Sequence, residues 1–328
     1  MGGTILNGVI AIVLGVVGVF AFFTILNAVT ERVGGRFEEV VKPWVFFGPA
    51  LATVTIFLIY PFFDTIRASF YADRFTAGER PFVGLENYQR VLTDSETWMS
   101  LGNNLQWIIV VPLFSVVFGL AVAVLADKLT QRWENISKSL IFVPMAISFV
   151  GAAAIWETIY KIQPASRQQT GVLNAILVNL GFEPISWYEN LLTNDFALMA
   201  IMIWMQAGFA MVLLSAALKG VPIDTIEAAR IDGATESQVF FRVIVPQIAS
   251  TIVVVLTTIL ILVLKIFDIV RVTTNGRGNT QVIANYFYTF FEGGNYGRAG
   301  VVVLLLVIMT LPFMVLNVRR FREQEATR

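Results

Sequence analysis

EAARIDGATESQVFFRVIVPQI, Glu227–Ile248, carries five charged residues and a turn, and it sits between two of the most apolar runs of the chain. FALMAIMIWMQAGFAMVLLSAAL (Phe196–Leu218) precedes it and ASTIVVVLTTILILVL (Ala249–Leu264) follows it. A helix needs about 20 apolar residues to cross a bilayer, so the stretch reads as a charged connection between two spans. Its residues predict a compact helical hairpin. Asp224 and Glu227 form D-x-x-E, a capping pattern that starts a helix over Thr225–Ile231. Asp232-Gly233 breaks it, because glycine adopts positive φ without steric cost. T-x-x-Q at Thr235–Gln238 starts a second helix running to about Val245, and Pro246, lacking a backbone donor, ends or kinks it.

The remainder of the chain agrees with a membrane setting. Of 328 residues, 56% are hydrophobic and 14% charged, with a mean hydropathy of +0.73; a soluble domain is about a quarter charged. The zero net charge gives no reason to expect a nucleic-acid partner. The absence of cysteine and histidine excludes disulfides, thiolate chemistry and imidazole ligands. The P-loop motif and the G-x-S-x-G elbow are also absent, and no acidic cluster falls within a span. Intramembrane catalysis is therefore not expected.

Seven segments are predicted to span: Ile5–Val29, Trp44–Phe63, Leu101–Ala126, Leu140–Tyr160, Phe196–Leu218, Ala249–Val270 and Arg298–Val318. The first lacks the positive start of a signal peptide and is too long for its apolar region, so it reads as a retained span. With the Glu227 stretch inside, the inner segments hold 13 Lys and Arg in 65 positions and the outer segments 8 in 99. This asymmetry places the N-terminus outside and the C-terminus, closing with RRFR, in the cytoplasm. Two outer segments, Phe82–Asp94 and Gly171–Gly181, are spaced for short amphipathic helices. Trp44, Tyr60 and Tyr160, at span ends, are expected to anchor in the membrane interface. Lys265 and Asp268, three apart, are expected to pair on one helix face.

Capping alone does not explain why Glu, two Ala, Gly and Pro fall at these spacings. Glu227, Ala228, Ala229, Gly233, Val243, Val245 and Pro246 resemble the EAA signature of the permease subunits of ABC importers, with valines where that family usually has Ile and Leu. Trp204, Gly208, Phe209, Met211, Val221-Pro222 and FVGLENY (Phe82–Tyr88) match its sugar-importer branch. Phe267-Asp268, Thr273, Tyr286, Tyr288, Phe290, Tyr296 and Gly297 match that branch too, whereas TTNGRGNT (Thr273–Thr280) replaces its usual T-x-G-G-P turn. The resemblance covers about Trp44 to Val318.

It implies an all-α membrane protein, a polytopic bundle of about seven transmembrane helices with the type I ABC importer permease core. Residues 1–43 would be an extra N-terminal helix and link, and 44–328 the permease domain with a cytoplasmic coupling loop at 219–247. That loop would dock on a separate ATPase through Glu227, Ala228, Ala229, Asp232, Gly233, Ala234 and Pro246. The implied partners are two ATPase subunits, which would bind the ATP and Mg, a second and different permease chain, and an extracytoplasmic solute-binding protein. No cofactor is expected in this chain. The solute would be a sugar or a sugar-like compound, held by aromatic and amide groups. Gln206, Trp204, Trp156 and Asn285 are the candidates, although Gln206 also fits a hydrogen bond between helices. The alternative is an ion-gradient-coupled secondary transporter, which would be expected to show inverted repeats, broken spans or buried carboxylates.

Overall fold

A computed structural model describes residues 2–33, 35–73, 80–164 and 166–326. Residues 74–79 and 165 of the predicted outer segments, and the last two residues of the basic C-terminus, lie outside the described residues. The chain forms two compact units, Met1–Arg67 and Ala68–Arg328.

In the first unit, α1 (Gly2–Val33) and α2 (Gly35–Val54) pack together, with Phe23 stacked on Phe46 at 5.9 Å and Lys42 lying 3.8 Å from Glu31. A π turn, Thr55–Ile59, leads into α3 (Tyr60–Ala68). The turn lies just before Pro61. Proline lacks the N–H of a helical bond and crowds the carbonyl four residues back, and a wider turn relieves both. Leu6–Arg32 and Val40–Ala68 are each long and apolar enough to cross a membrane.

The second unit opens with α4 (Glu86–Thr93) and the long α5 (Ser95–Asp127). Asp94 caps α5, accepting from the Glu96 amide at 3.0 Å. Next come α6 (Gln131–Phe142), a 3₁₀ turn at Val143–Ala146, α7 (Phe149–Ile159) and the short helix α8 (Val172–Asn179). The central helix, α9 (Asn194–Lys219), leads to the hairpin of α10 (Ile223–Ile231), α11 (Glu236–Val239), a second π turn at Phe240–Ile244 and α12 (Val245–Gln247). The chain ends with α13 (Ala249–Val263), α14 (Asp268–Thr273), α15 (Ile283–Glu292) and α16 (Tyr296–Ala326).

Helix α9 is the most enclosed span, and α5 is its most extensive neighbour. Leu198, Met199, Ile201, Met202, Met211 and Leu214 of α9 are fully buried against Trp107 and Val111 of α5 and Ile259 of α13. Two glycines permit the approach. A Cβ on Gly119 would collide with Ala210 and the Met211 amide, and one on Gly208 would strike the Ile141 carbonyl of α6. Backbones this close gain dispersion contacts that larger residues would forbid. A second cluster joins α4, α15 and α16 through Val91, Ile283, Tyr286, Val301 and Val302.

Among the described residues six helices have the length and apolarity of spans, and the predicted seventh is not a straight crossing. The sequence reading gave one helix over Leu140–Tyr160; the structure instead bends the chain by 108° between Gln131–Ala146 and Phe149–Ile159. Pro144 forbids the continuing α ladder, and Ser148, extended at ψ 152°, caps a new helix by accepting from the Gly151 amide at 3.1 Å. Hydropathy registers only that both halves are apolar.

The expected Lys265–Asp268 pair is also corrected. Helix α13 stops at Val263 and α14 starts at Asp268, so the two residues do not share a helix face, and no ion pair joins them. Tyr160 is no interface anchor. It is 5% exposed, its hydroxyl donates to the Ala197 carbonyl at 3.0 Å, and its ring packs against Trp156, Trp187 and Tyr188. The two outer helices form much as predicted, as α4 and α8.

Candidate coupling loop and translocation path

The hairpin begins two residues sooner than the capping pattern predicts. Pro222, at φ −62° and ψ 128°, is the N-cap of α10, so Asp224 lies in the first turn and makes no cap. A proline suits this place because it has no amide to leave unsatisfied. An acidic first turn still favours the positive helix end. Glu227 consequently falls beyond the capping position; it is exposed and its side chain makes no hydrogen bond.

The reversal at Gly233 follows the prediction. Its φ is +83°, and a Cβ there would meet nothing within 4 Å, so backbone conformation alone demands glycine. The Ala234 amide donates back to the Ala229 carbonyl at 3.0 Å, closing the end of α10. The capping box at α11 is present: the Thr235 amide donates to Gln238 Oε1 at 2.8 Å and the Gln238 amide to Thr235 Oγ1 at 3.4 Å. Arg230 bridges the turn with a fork onto Glu236, Nε to Oε1 at 2.8 Å and Nη2 to Oε2 at 3.0 Å. These bonds hold the Glu236 carboxyl below the usual carboxylate range. A π turn precedes Pro246 just as one precedes Pro61, so α11 ends at Val239 and helical structure resumes to Gln247.

Among the described residues, no side-chain hydrogen bond or ion pair joins residues 222–247 to the rest of the chain. Val239 is buried within the hairpin, whereas Ile223, Ile231 and Phe241 are 66%, 85% and 66% exposed. Ala228, Asp232 and Pro246 are exposed as well, and Ala229 and Ala234 are half-buried.

The four predicted solute contacts do not converge on one place. Trp156 and Trp204 meet edge to face at 5.8 Å. Trp204 also lines an apolar cleft of about 470 Å³, with Phe118 of α5, Leu140, Ile141 and Pro144 at the bent pair, and Ala200, Ile203 and Ala207 of α9. Gln206, on the same helix, is 3% exposed and lies outside that cleft, its Oε1 without a partner. Asn285 belongs elsewhere: it donates to Gln281 Oε1 at 2.6 Å, and Gln281 donates to Glu96 Oε1 at 3.1 Å.

That network braces Thr273–Thr280, whose replaced turn is now defined. Asn275, Gly276, Gly278 and Asn279 all take positive φ. Asn103 donates to the Asn279 and Gln281 carbonyls, Asn194 to the Gly278 carbonyl, and the Thr274 and Thr280 hydroxyls bond at 2.6 Å. Other motif residues prove to be braces. Asn87 donates to the Ser69 and Tyr71 carbonyls at 2.8 and 2.7 Å, Tyr286 donates to Asp94 at 2.6 Å, and Gly297 leaves room for Asn87 and the Tyr71 carbonyl. Sequence reasoning missed one group, Glu134, whose carboxylate is 4% exposed and meets both Lys138 and Lys219. Its spacing to Lys138, i to i+4, was the visible signal.

Comparison with known proteins places the chain. A family model described as "Binding-protein-dependent transport system inner membrane component" matches residues 115–321. The chain is 44% identical to the alpha-glucoside transport system permease protein AglF of Rhizobium meliloti, over 96% of both chains. It is 48% identical to the osmoprotective compounds uptake permease protein GgtC of Synechocystis, over 85% of this chain and 99% of that one. Its fold is similar to that of a chain in the crystal structure of a bacterial ABC transporter involved in alginate import, with a TM-score of 0.72 at 21% identity, covering 88% and 99% of the two chains. The ion-gradient-coupled alternative gives way to this result. The chain belongs to the family of binding-protein-dependent transport system inner membrane components and is a multi-pass permease subunit of an ABC importer.

Proposed function

We propose that this subunit forms part of the import path for a neutral sugar or sugar-like osmolyte. Its 219–247 hairpin docks on a separate ATPase subunit, which binds the ATP and Mg and hydrolyses the nucleotide. The observation that carries the reading is the hairpin beyond Pro222: among the described residues its side chains bond only to one another, yet it holds Ile223, Ile231 and Phe241 exposed beside the exposed Glu227. A charged hairpin with apolar side chains turned outward is suited to a soluble partner. The basic asymmetry supports a cytoplasmic hairpin and C-terminus, with the N-terminus outside. The solute class rests on the relatives named for alpha-glucosides, trehalose/maltose and osmoprotective compounds. Residues 44–328 serve as the permease domain and 1–43 as an added helix and link. A second, different permease chain and an external solute-binding protein complete the assembly.

In this mechanism ATPase closure pulls on the hairpin and tilts the spans between outward-open and inward-open arrangements. Trp204 and Trp156 offer aromatic faces to a sugar, and Gln206 offers an amide oxygen. The test is to purify the tagged chain from its native membrane in mild detergent and assay ATPase activity with a sugar panel. Co-purification of an ATPase and a second permease, with sugar-dependent turnover, is expected. Recovery of the chain alone, even after cross-linking through Glu227, would overturn the reading.

A further inference from the structure

Helices α6 and α9 are joined at the end where the hairpin begins. Glu134 of α6 forms ion pairs with Lys138, one turn along, and with Lys219, the last residue of α9 and the first of the hairpin, at 2.6 Å. Lys138 also donates to Ser215 Oγ of α9. Glu134 and Ser215 are each 4% exposed, whereas the Lys219 side chain is about half exposed. Farther along, the contact of Gly208 with the Ile141 carbonyl holds the same two helices together just before the 108° break. Among the described residues no side-chain tie joins the hairpin beyond Pro222 to the rest of the chain, and the Glu134–Lys219 pair is the polar link nearest its root. With its carboxylate buried, Glu134 loses either ammonium partner only at the cost of a poorly solvated charge, although the half-exposed Lys219 is partly screened by solvent.

We propose that Glu134 is a positioning residue for coupling: through Lys219 it fastens the root of the hairpin to α6, so that hairpin displacement moves α6 and its break along with α9. This rests on the coupling role proposed above. Without the link, Lys138–Ser215 and the Gly208 contact still hold α6 on α9, but the hairpin root swings free of α6 and less of its displacement reaches Leu140, Ile141 and Pro144. ATP is then hydrolysed without productive rearrangement of the path.

The test uses the complete transporter in proteoliposomes. ATPase rate is measured without and with the external binding protein and a maltose–trehalose mixture. Lys219→Met removes the link from a half-exposed site, so it is the decisive variant should Glu134→Gln, which leaves Lys138 without its partner, fail to accumulate. Lys219→Met is expected to lower the stimulation ratio roughly fivefold or more, with the amount of co-purified ATPase unchanged, while Lys219→Arg behaves as wild type. Wild-type stimulation in Lys219→Met, an equal loss in Lys219→Arg, or loss of the co-purified ATPase would each overturn the proposal. Gly233→Val is assayed alongside. If it loses stimulation and Lys219→Met does not, the hairpin still couples and only the Glu134 link falls. If neither loses stimulation, the coupling role falls as well.

Discussion

Two of the turns that use left-handed glycines, at Gly233 and at Gly276–Gly278, are held in opposite ways. The Thr273–Thr280 turn is bonded from outside by Asn103 and Asn194. The turn at Gly233 is bonded only within its own hairpin, by the Arg230–Glu236 fork and the Thr235–Gln238 box. A segment bolted to several helices keeps one shape; a segment braced internally and free outside moves as a unit. The difference suits a fixed rim and, on the coupling role proposed above, a lever.

The sharpest separation of the two turns is the same substitution made in each. At Gly276, φ is +79° and a Cβ would sit 2.6 Å from Gln281 Oε1. Gly276→Val therefore combines backbone strain with a clash, a destabilisation of about 3 kcal/mol. Immunoblotting of membranes is expected to show little protein and detergent melts a clearly lower midpoint. Asn103→Ala strands two carbonyls and is expected to cost about 1–2 kcal/mol, with uptake falling only in proportion to the protein present. Gly233→Val meets no neighbour and costs about 1–2 kcal/mol of strain alone. Membrane levels remain near wild type while solute uptake is lost. Normal uptake in that variant would break the comparison, because the hairpin would then not be a lever.

Arg230→Ala should have the smallest effect, since the fork to Glu236 is solvent-exposed. The folded Glu236 carboxyl titrates below its ordinary value, so its stabilisation is complete above the unfolded pKa, about 4.3, and disappears as pH falls through the lower folded value. The small difference in melting midpoint between wild type and Arg230→Ala should persist at neutral pH and vanish in acid. A difference that grew in acid would refute the assignment.

The sequence was most readable where a local rule has one structural answer. Asp-Gly at 232–233 means a reversal, and T-x-x-Q at 235–238 means a helix start. It misled where two rules competed: D-x-x-E at Asp224 looked like a cap, but Pro222 claimed that place. It was silent where the answer depends on distant partners. Nothing local to Tyr160 says that Ala197 accepts its hydroxyl, and nothing local to Glu134 says that Lys219 arrives beside it. Gly208, read as a motif letter, gained a physical reason only when the Ile141 carbonyl was found against it. The apolar total of Leu140–Tyr160 gave a span but not the bend, since hydropathy has no direction.

That bend bears on how the protein is made. Helix α6 has 12 residues and α7 has 11, each under about 20 Å long at 1.5 Å per residue, against a hydrocarbon core of about 30 Å. Neither half can settle in lipid alone with its open helix ends satisfied. The helix that receives α6, through Gly208, is α9, which leaves the ribosome later. The segment from Gln131 to Ile159 therefore reaches its full packing only when a helix synthesised after it is in place.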